Sequence, residues 1–280
     1  MASKTYSQAI EKLRANPVAT AICIVAFYVI WFCLPALLND TELSDGGLDK
    51  DPDLVGQLLP EIGLVASILV FVALLGSWRE MRITTKLEKN WYWVMIPPVL
   101  YIGLFFAIGL IALSESGVGW SGIPLQIFGP LILTTFLVGI FEEFLFRGVV
   151  FHAFEKWRGP ILAAFISSIM FGAMHYVNWV GGQQLSGTHV QVMHAGAAGI
   201  LYAGIILKTG SIWPAVLAHG AWDLTVTFTQ VARSYLEPAS TVEAVSSSFV
   251  QAAILGFEPV YGLILIYLWW RSKNRSSAKN

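Results

Sequence analysis

From Val18 to Trp270 the chain returns repeatedly to windows of about 20 apolar residues, the length a helix needs to cross a bilayer core about 30 Å thick. Only helices and closed barrels satisfy their own backbone polar groups in lipid. Windows this long fit helices, because a tilted barrel strand needs only about 10 residues. Composition agrees: 56% of the 280 residues are hydrophobic, 12% are charged, and the mean hydropathy is +0.65. These values lie outside the range of soluble domains. The sequence therefore predicts an all-α polytopic membrane protein, a single membrane domain over 1–280 with eight transmembrane helices. The expected spans are 18–38, 58–77, 91–113, 125–151, 160–176, 191–207, 212–231 and 249–270. Lys12 and Arg14 precede the first span as in a signal peptide. Its apolar run is too long and no small-x-small cleavage pattern follows, so it reads as an uncleaved anchor.

Orientation follows from the basic residues, which concentrate in cytoplasmic segments. Of the 17 Lys and Arg residues, all but Lys50 and Arg233 fall in alternate segments. These are Lys4, Lys12 and Arg14; Arg79, Arg82, Lys86 and Lys89; Arg147, Lys156 and Arg158; Lys208; and Arg271, Lys273, Arg275 and Lys279. Both termini are accordingly expected in the cytoplasm. The loop with Asp40, Glu42, Asp45, Asp49, Asp51 and Asp53 is expected outside. Trp31, Trp78, Trp91, Trp93, Trp120, Trp213, Trp269 and Trp270 lie mostly near span ends, as in an interfacial belt. With a net charge of −1 and no basic groove or aromatic–basic repeat, nucleic acid is not an expected partner. The lipid bilayer is, its anionic headgroups meeting the basic edges. Cys23 and Cys33 share the first span without a CxxC spacing and read as small apolar packing residues.

Ionisable groups inside spans are expensive and face bundle interiors or wet cavities. They are Glu142, Glu143 and Arg147 on the fourth span, His175 on the fifth, His194 on the sixth, and His219 and Asp223 on the seventh, with Glu61 and Glu258 on the second and eighth. Glu143 and Arg147, Phe171 and His175, and His219 and Asp223 are each four residues apart, on one helix face. Glu142 stands about 100° round the helix from Glu143, free to point elsewhere. Arg158-Gly159-Pro160 marks a turn between antiparallel helices. Counted from that turn, Glu142 and His175 both lie about 24 Å deep, so a carboxylate and an imidazole can face each other. His219 and Asp223 come out shallower, about 9 and 14 Å from the start of their helix. The levels meet only if the fourth and fifth spans protrude or tilt.

A buried glutamate beside an imidazole can hold and deprotonate a water. No GxSxG, HExxH or suitable cysteine supports a serine, zincin or cysteine mechanism. Two alternatives stay open. Glu142, His175 and His219 can bind zinc with an open position, or the polar groups can form a proton relay or polar core in a non-catalytic transporter or immunity protein. Bland readings stand beside these. Glu143–Arg147 reads as a paired charge at a helix end near the cytoplasmic interface, and Glu61 as solvated. His194, beside Ala195-Gly-Ala-Ala-Gly199, reads as a structural hydrogen-bonding group on a close-packing surface. His152 and His189 read as interfacial, Glu258-Pro259 as a kink, and 177–188 as an outward loop.

Glu142-Glu143-x-x-x-Arg147, Phe171-x-x-x-His175 and His219-x-x-x-Asp223, in that order, resemble the three motifs of the CPBP family. This is the CAAX-protease and bacteriocin-processing group of intramembrane proteases. The resemblance covers 125–231, a CPBP-type protease core, with 1–124 and 232–280 as accessory helices. It implies a glutamate-dependent intramembrane endopeptidase with no cofactor, in which Glu142 and His175 activate water and His219 and Asp223 stabilise the oxyanion. Glu143, Arg147 and Phe171 would support them. It also implies a peptide or protein substrate, membrane-anchored or prenylated, and a multi-pass location that fits a bacterial inner membrane. Eukaryotic CAAX proteases carry asparagine where this chain has Asp223, and an ionised carboxylate accepts hydrogen bonds rather than donating them.

Overall fold

The computed structural model describes residues 2–38, 54–115, 125–234 and 251–277; the acidic stretch with Lys50, and Trp120, lie outside them. The described residues form helices and no strands. They are α1 (Ala2–Ala15), α2 (Pro17–Leu38), α3 (Leu54–Leu75), α4 (Tyr92–Glu115), α5 (Phe128–Glu143), α6 (Phe151–Arg158), α7 (Pro160–Met174), α8 (Tyr176–Val180), α9 (Leu185–Thr209), α10 (Trp213–Ser234) and α11 (Gln251–Ser277). A π-helical segment, Phe144–Val150, joins α5 to α6. By length and composition, six helices among the described residues can cross a membrane: Pro17–Leu38, Leu58–Leu75, Tyr92–Ile111, Leu125–Arg158, Pro160–Val180 and Leu185–Thr209. The chain is thus an all-α multi-pass membrane protein. The last two expected spans coincide with α10 and α11, which are long enough but more polar; α10 carries His219, Asp223, Thr225, Thr227 and Thr229.

The polar segment before the first span is helical, and Arg14 donates from Nη2 to the Leu74 carbonyl at 3.0 Å, tying α1 to the end of α3. Two local expectations change. The outward loop at 177–188 is mostly helix, because α8 follows His175 at once and α9 begins at Leu185. His152 is buried rather than interfacial.

Lipid tails remove the hydrophobic force between helices, so close fit and polar contacts must hold a membrane bundle together. α9 is central: 56% of its apolar window is buried, against 17% for the windows in α2 and α3. It packs on α7 and α11, while α10 packs on α5. Glycines permit both approaches. A Cβ at Gly172 would lie 2.6 Å from the Val192 carbonyl oxygen on α9, and one at Gly139 would lie 3.1 Å from the Gly220 nitrogen on α10. The second contact draws α10 against the stretch of α5 that ends in the two glutamates.

The depth mismatch closes through unequal hairpins. The fourth span runs on for 34 residues to Arg158, about 50 Å if straight, and its Gly148, ten residues before that end, already lies against Ile212 at the α9–α10 turn. The segment 76–91 sits at that step. Its Arg82 carbonyl accepts from the Ile212 amide at 3.1 Å, its Ile83 carbonyl from Trp213 Nε1 at 2.9 Å, and the Arg82 guanidinium grips Glu155 at 2.7 and 2.9 Å. Met81 and Ile83 of this segment are buried. His219 therefore reaches the level of Glu142 although it lies near the start of its helix.

Substituting Gly172→Ala should force α7 off α9, costing about 1–3 kcal/mol as overpacking does. Gly63→Ala, where a Cβ meets nothing within 4 Å, should be neutral. Thermal unfolding of both variants in detergent, compared with wild type, checks the pair.

Candidate active site

The core of the site is an ion pair sealed inside the bundle. Glu143 and Arg147 are both 0% exposed and meet at 3.0 Å between Oε1 and Nη1. This corrects the interfacial reading: the pair does not sit at a wet helix end, and Arg147 drops out of the loop charges. Four-residue spacing says that two side chains meet but not whether their face is turned inward. The π segment contains Arg147, and all seven of its residues are buried. Arg147 is further held by aromatic faces, its guanidinium carbon 4.3 Å from the Phe171 ring centroid and 5.2 Å from that of Tyr202.

The same Glu143 oxygen accepts a hydrogen bond from His219 Nδ1 at 2.9 Å. Because an ionised carboxylate only accepts, that nitrogen carries the proton. The imidazole stacks on Tyr202, with centroids 4.9 Å apart and planes 16° apart, and meets Phe171 edge-on at 5.6 Å. Its Nε2 faces Glu142 Oε2 at 3.3 Å and Asp223 Oδ2 at 3.4 Å. A contact of this kind needs a proton among the imidazole and the two carboxyls. Glu142 and Asp223 retain 20% and 27% side-chain exposure and line a cavity of about 770 Å³.

His175 lines the same cavity from the end of α7. Helix ends leave carbonyls without partners, and His175 Nδ1 satisfies that of Phe171 at 3.0 Å. A carbonyl only accepts, so Nδ1 donates and Nε2 is left as the free acceptor. Among the described residues no hydrogen bond or ion pair joins Glu142 to His175 directly; the expected facing pair shares a cavity, and His219 is the imidazole that approaches Glu142. No group of three His, Cys, Asp or Glu side chains among the described residues is arranged to hold a metal ion, so the set Glu142, His175 and His219 does not converge as a zinc site.

Several cavity residues depart from their sequence reading. Glu61 lines it, with Oε2 buried and unpartnered, rather than being solvated. Glu258 lines it at 3% exposure, and His194 presents an unpartnered Nε2 instead of a structural hydrogen bond. Tyr202, the stacking platform for His219, carries no motif and has only its place in a small-residue helix to mark it. The remaining wall is mostly apolar, including Phe32, Leu64, Val138 and Met174, as binding cavities usually are.

A multi-pass helical bundle enclosing a carboxylate–imidazole cluster on an apolar cavity defines the class of this protein: a membrane protein with a polar site built inside its own bundle. Residues 124–225 match the family model described as Type II CAAX prenyl endopeptidase Rce1-like, a stretch that carries every motif residue from Glu142 to Asp223. This is the group the three motifs resemble. The chain is also 29% identical over 114 residues to "Putative membrane peptidase YdiL" of Bacillus subtilis (strain 168), covering 40% of this chain and 42% of that protein. It thus spans less than half the length of the curated relative it matches. No solved structure matches the chain.

Replacing Glu143 by Ala leaves Arg147 buried without its counter-charge, a change that typically costs about 3–5 kcal/mol. Glu142→Ala, at a partly exposed cavity position, should cost much less. Unfolding temperatures in one detergent should therefore rank wild type and Glu142→Ala together, well above Glu143→Ala; the reverse order would contradict the sealed pair.

Proposed function

We propose that this protein is an intramembrane endopeptidase that hydrolyses a peptide bond with water activated by Glu142 and His175. The observation that carries the reading is that one cavity receives Glu142, His175, His219 and Asp223 together, while Glu143 and Arg147 stay sealed behind them. The match of 124–225 to a CAAX prenyl endopeptidase family supports the same class. α5–α10 then form the protease core, and α1–α4 with α11 are accessory, in a membrane with both termini in the cytoplasm.

Each role follows from the hydrogen-bonding state of the group. Glu142 is a carboxylate with access to the cavity, able to take a proton from water as that water attacks a carbonyl. His175, with Nδ1 committed to a backbone carbonyl, offers Nε2 to the same water. His219 is fixed by Glu143 at one nitrogen and turns the other toward the reacting region. Asp223 beside it stabilises the oxyanion if it carries the proton, since only then is it a donor. No cofactor is required in this scheme. Fitting substrates are a prenylated C-terminal peptide, the leader of a bacteriocin or signalling peptide, or a segment of a membrane protein.

Comparative proteomics of membrane peptides in cells carrying wild type, Glu142→Gln, His175→Ala or Asp223→Asn tests this reading. Loss of a positioned general base typically costs about 100- to 10,000-fold, so cleavage products should vanish with the first two. Asp223→Asn supplies a permanent amide donor of similar shape and should keep them. Products that persist in Glu142→Gln cells would remove the mechanism, and an inactive Asp223→Asn would remove the donor role.

A further inference from the structure

Two carboxyls from outside the Rce1-like region reach the cavity: Glu61 from α3 and Glu258 from α11. Each presents a buried Oε2 with no hydrogen-bond partner, and Glu258 is 97% removed from solvent by its 3% exposure. A carboxyl serving only to tether helices would find a protein donor, because an unpaired polar group in an apolar bundle is costly. Neither does so here.

Their surroundings favour one kind of ligand. Glu61 lies within electrostatic reach of Glu142 and Asp223, and Glu258 within reach of His219. No Lys or Arg lines the cavity, and Arg147 is fully buried in its pair with Glu143. Aromatic surface adjoins the acids: Phe257 stacks on Tyr101 at 4.4 Å, Tyr101 stacks on Trp222 at 5.6 Å, and Trp222 lines the cavity. Carboxyl groups beside aromatic faces, with no Lys or Arg among the lining side chains and only the His219 imidazole near Glu258, are an environment that recognises an ammonium or guanidinium.

We propose that Glu258 and Glu61, with Trp222, form a specificity subsite for a basic residue, Lys or Arg, of the substrate peptide. The inference rests on the endopeptidase reading for the identity of the ligand as a substrate. It adds that helices outside the motif-bearing core choose which peptide is cut.

Binding and cleavage should be measured on the same probes: palmitoylated peptides of otherwise neutral sequence carrying one Lys, one norleucine or one Glu. The full-length protein is held in phosphatidylcholine nanodiscs, whose neutral surface does not itself attract Lys. Binding is read in the His175→Ala background, which leaves every cavity carboxyl in place. The Lys peptide should bind about ten-fold more tightly than the norleucine peptide. Glu258→Gln should abolish most of that preference without weakening norleucine binding, Glu258→Asp should retain it, and Glu61→Gln should reduce it. Glu61→Gln, at a partly exposed position, carries the test should Glu258→Gln not fold. Equal binding of the Lys and norleucine peptides, or a Lys preference unmoved by these variants, overturns the subsite. Cleavage without a Lys preference sinks the subsite alone. A Lys preference that depends on Glu258 without cleavage by the wild type sinks the endopeptidase reading alone.

Discussion

Everything around the site depends on the buried contact between Glu143 and Arg147. Two charges taken out of water are costly unless geometry and surroundings support them; here four helical elements surround the pair, although Glu143 Oε2 and Arg147 Nε and Nη2 make no hydrogen bond among the described residues. The π segment that follows α5 presents Arg147, α7 and α9 contribute the Phe171 and Tyr202 faces around it, and α10 brings His219 to Glu143. A helix that moved away would strand a charge or a donor in an apolar interior, so the pair acts as a registration point for the bundle.

Adjacent glutamates consequently take opposite parts. Glu143 is fully enclosed, and one step round the helix Glu142 faces the cavity and keeps 20% of its side chain exposed. His219 connects the two, anchored through Nδ1 to the sealed carboxylate and presenting Nε2 to the accessible ones. Under the proposed endopeptidase reading, orientation is held in the sealed part and chemistry falls to the accessible part, the separation that preorganised catalysis requires.

The long apolar windows were legible because a bilayer imposes length and composition directly, and the positions of α2, α3, α4 and α7 follow them closely. The small-residue run at Ala195–Gly199 was legible as a contact surface for the same kind of reason: it permits backbone approach, and Gly199 indeed lies against Ser168. What local pattern could not convey was relative depth. His219 looked too shallow because the hairpins were counted from their own turns, whereas the fold recesses the α9–α10 turn beneath the 76–91 segment through hydrogen bonds distant in sequence. The π segment, the inward face of Glu143–Arg147 and the cavity positions of Glu61 and Glu258 share this character. Each is set by which neighbour a side chain meets, and spacing along one helix does not encode that.

Glu143 fixes the tautomer and aim of His219, and nitrogen NMR of the imidazole reads both. In protein labelled with ¹⁵N-histidine and held in nanodiscs, the His219 signals are assigned by their loss in His219→Gln. The expected result is a proton on Nδ1, in a hydrogen bond to a carboxylate, and a changed Nδ1 resonance in Glu143→Gln. An unprotonated Nδ1, or a His219 spectrum indifferent to Glu143→Gln, would contradict it.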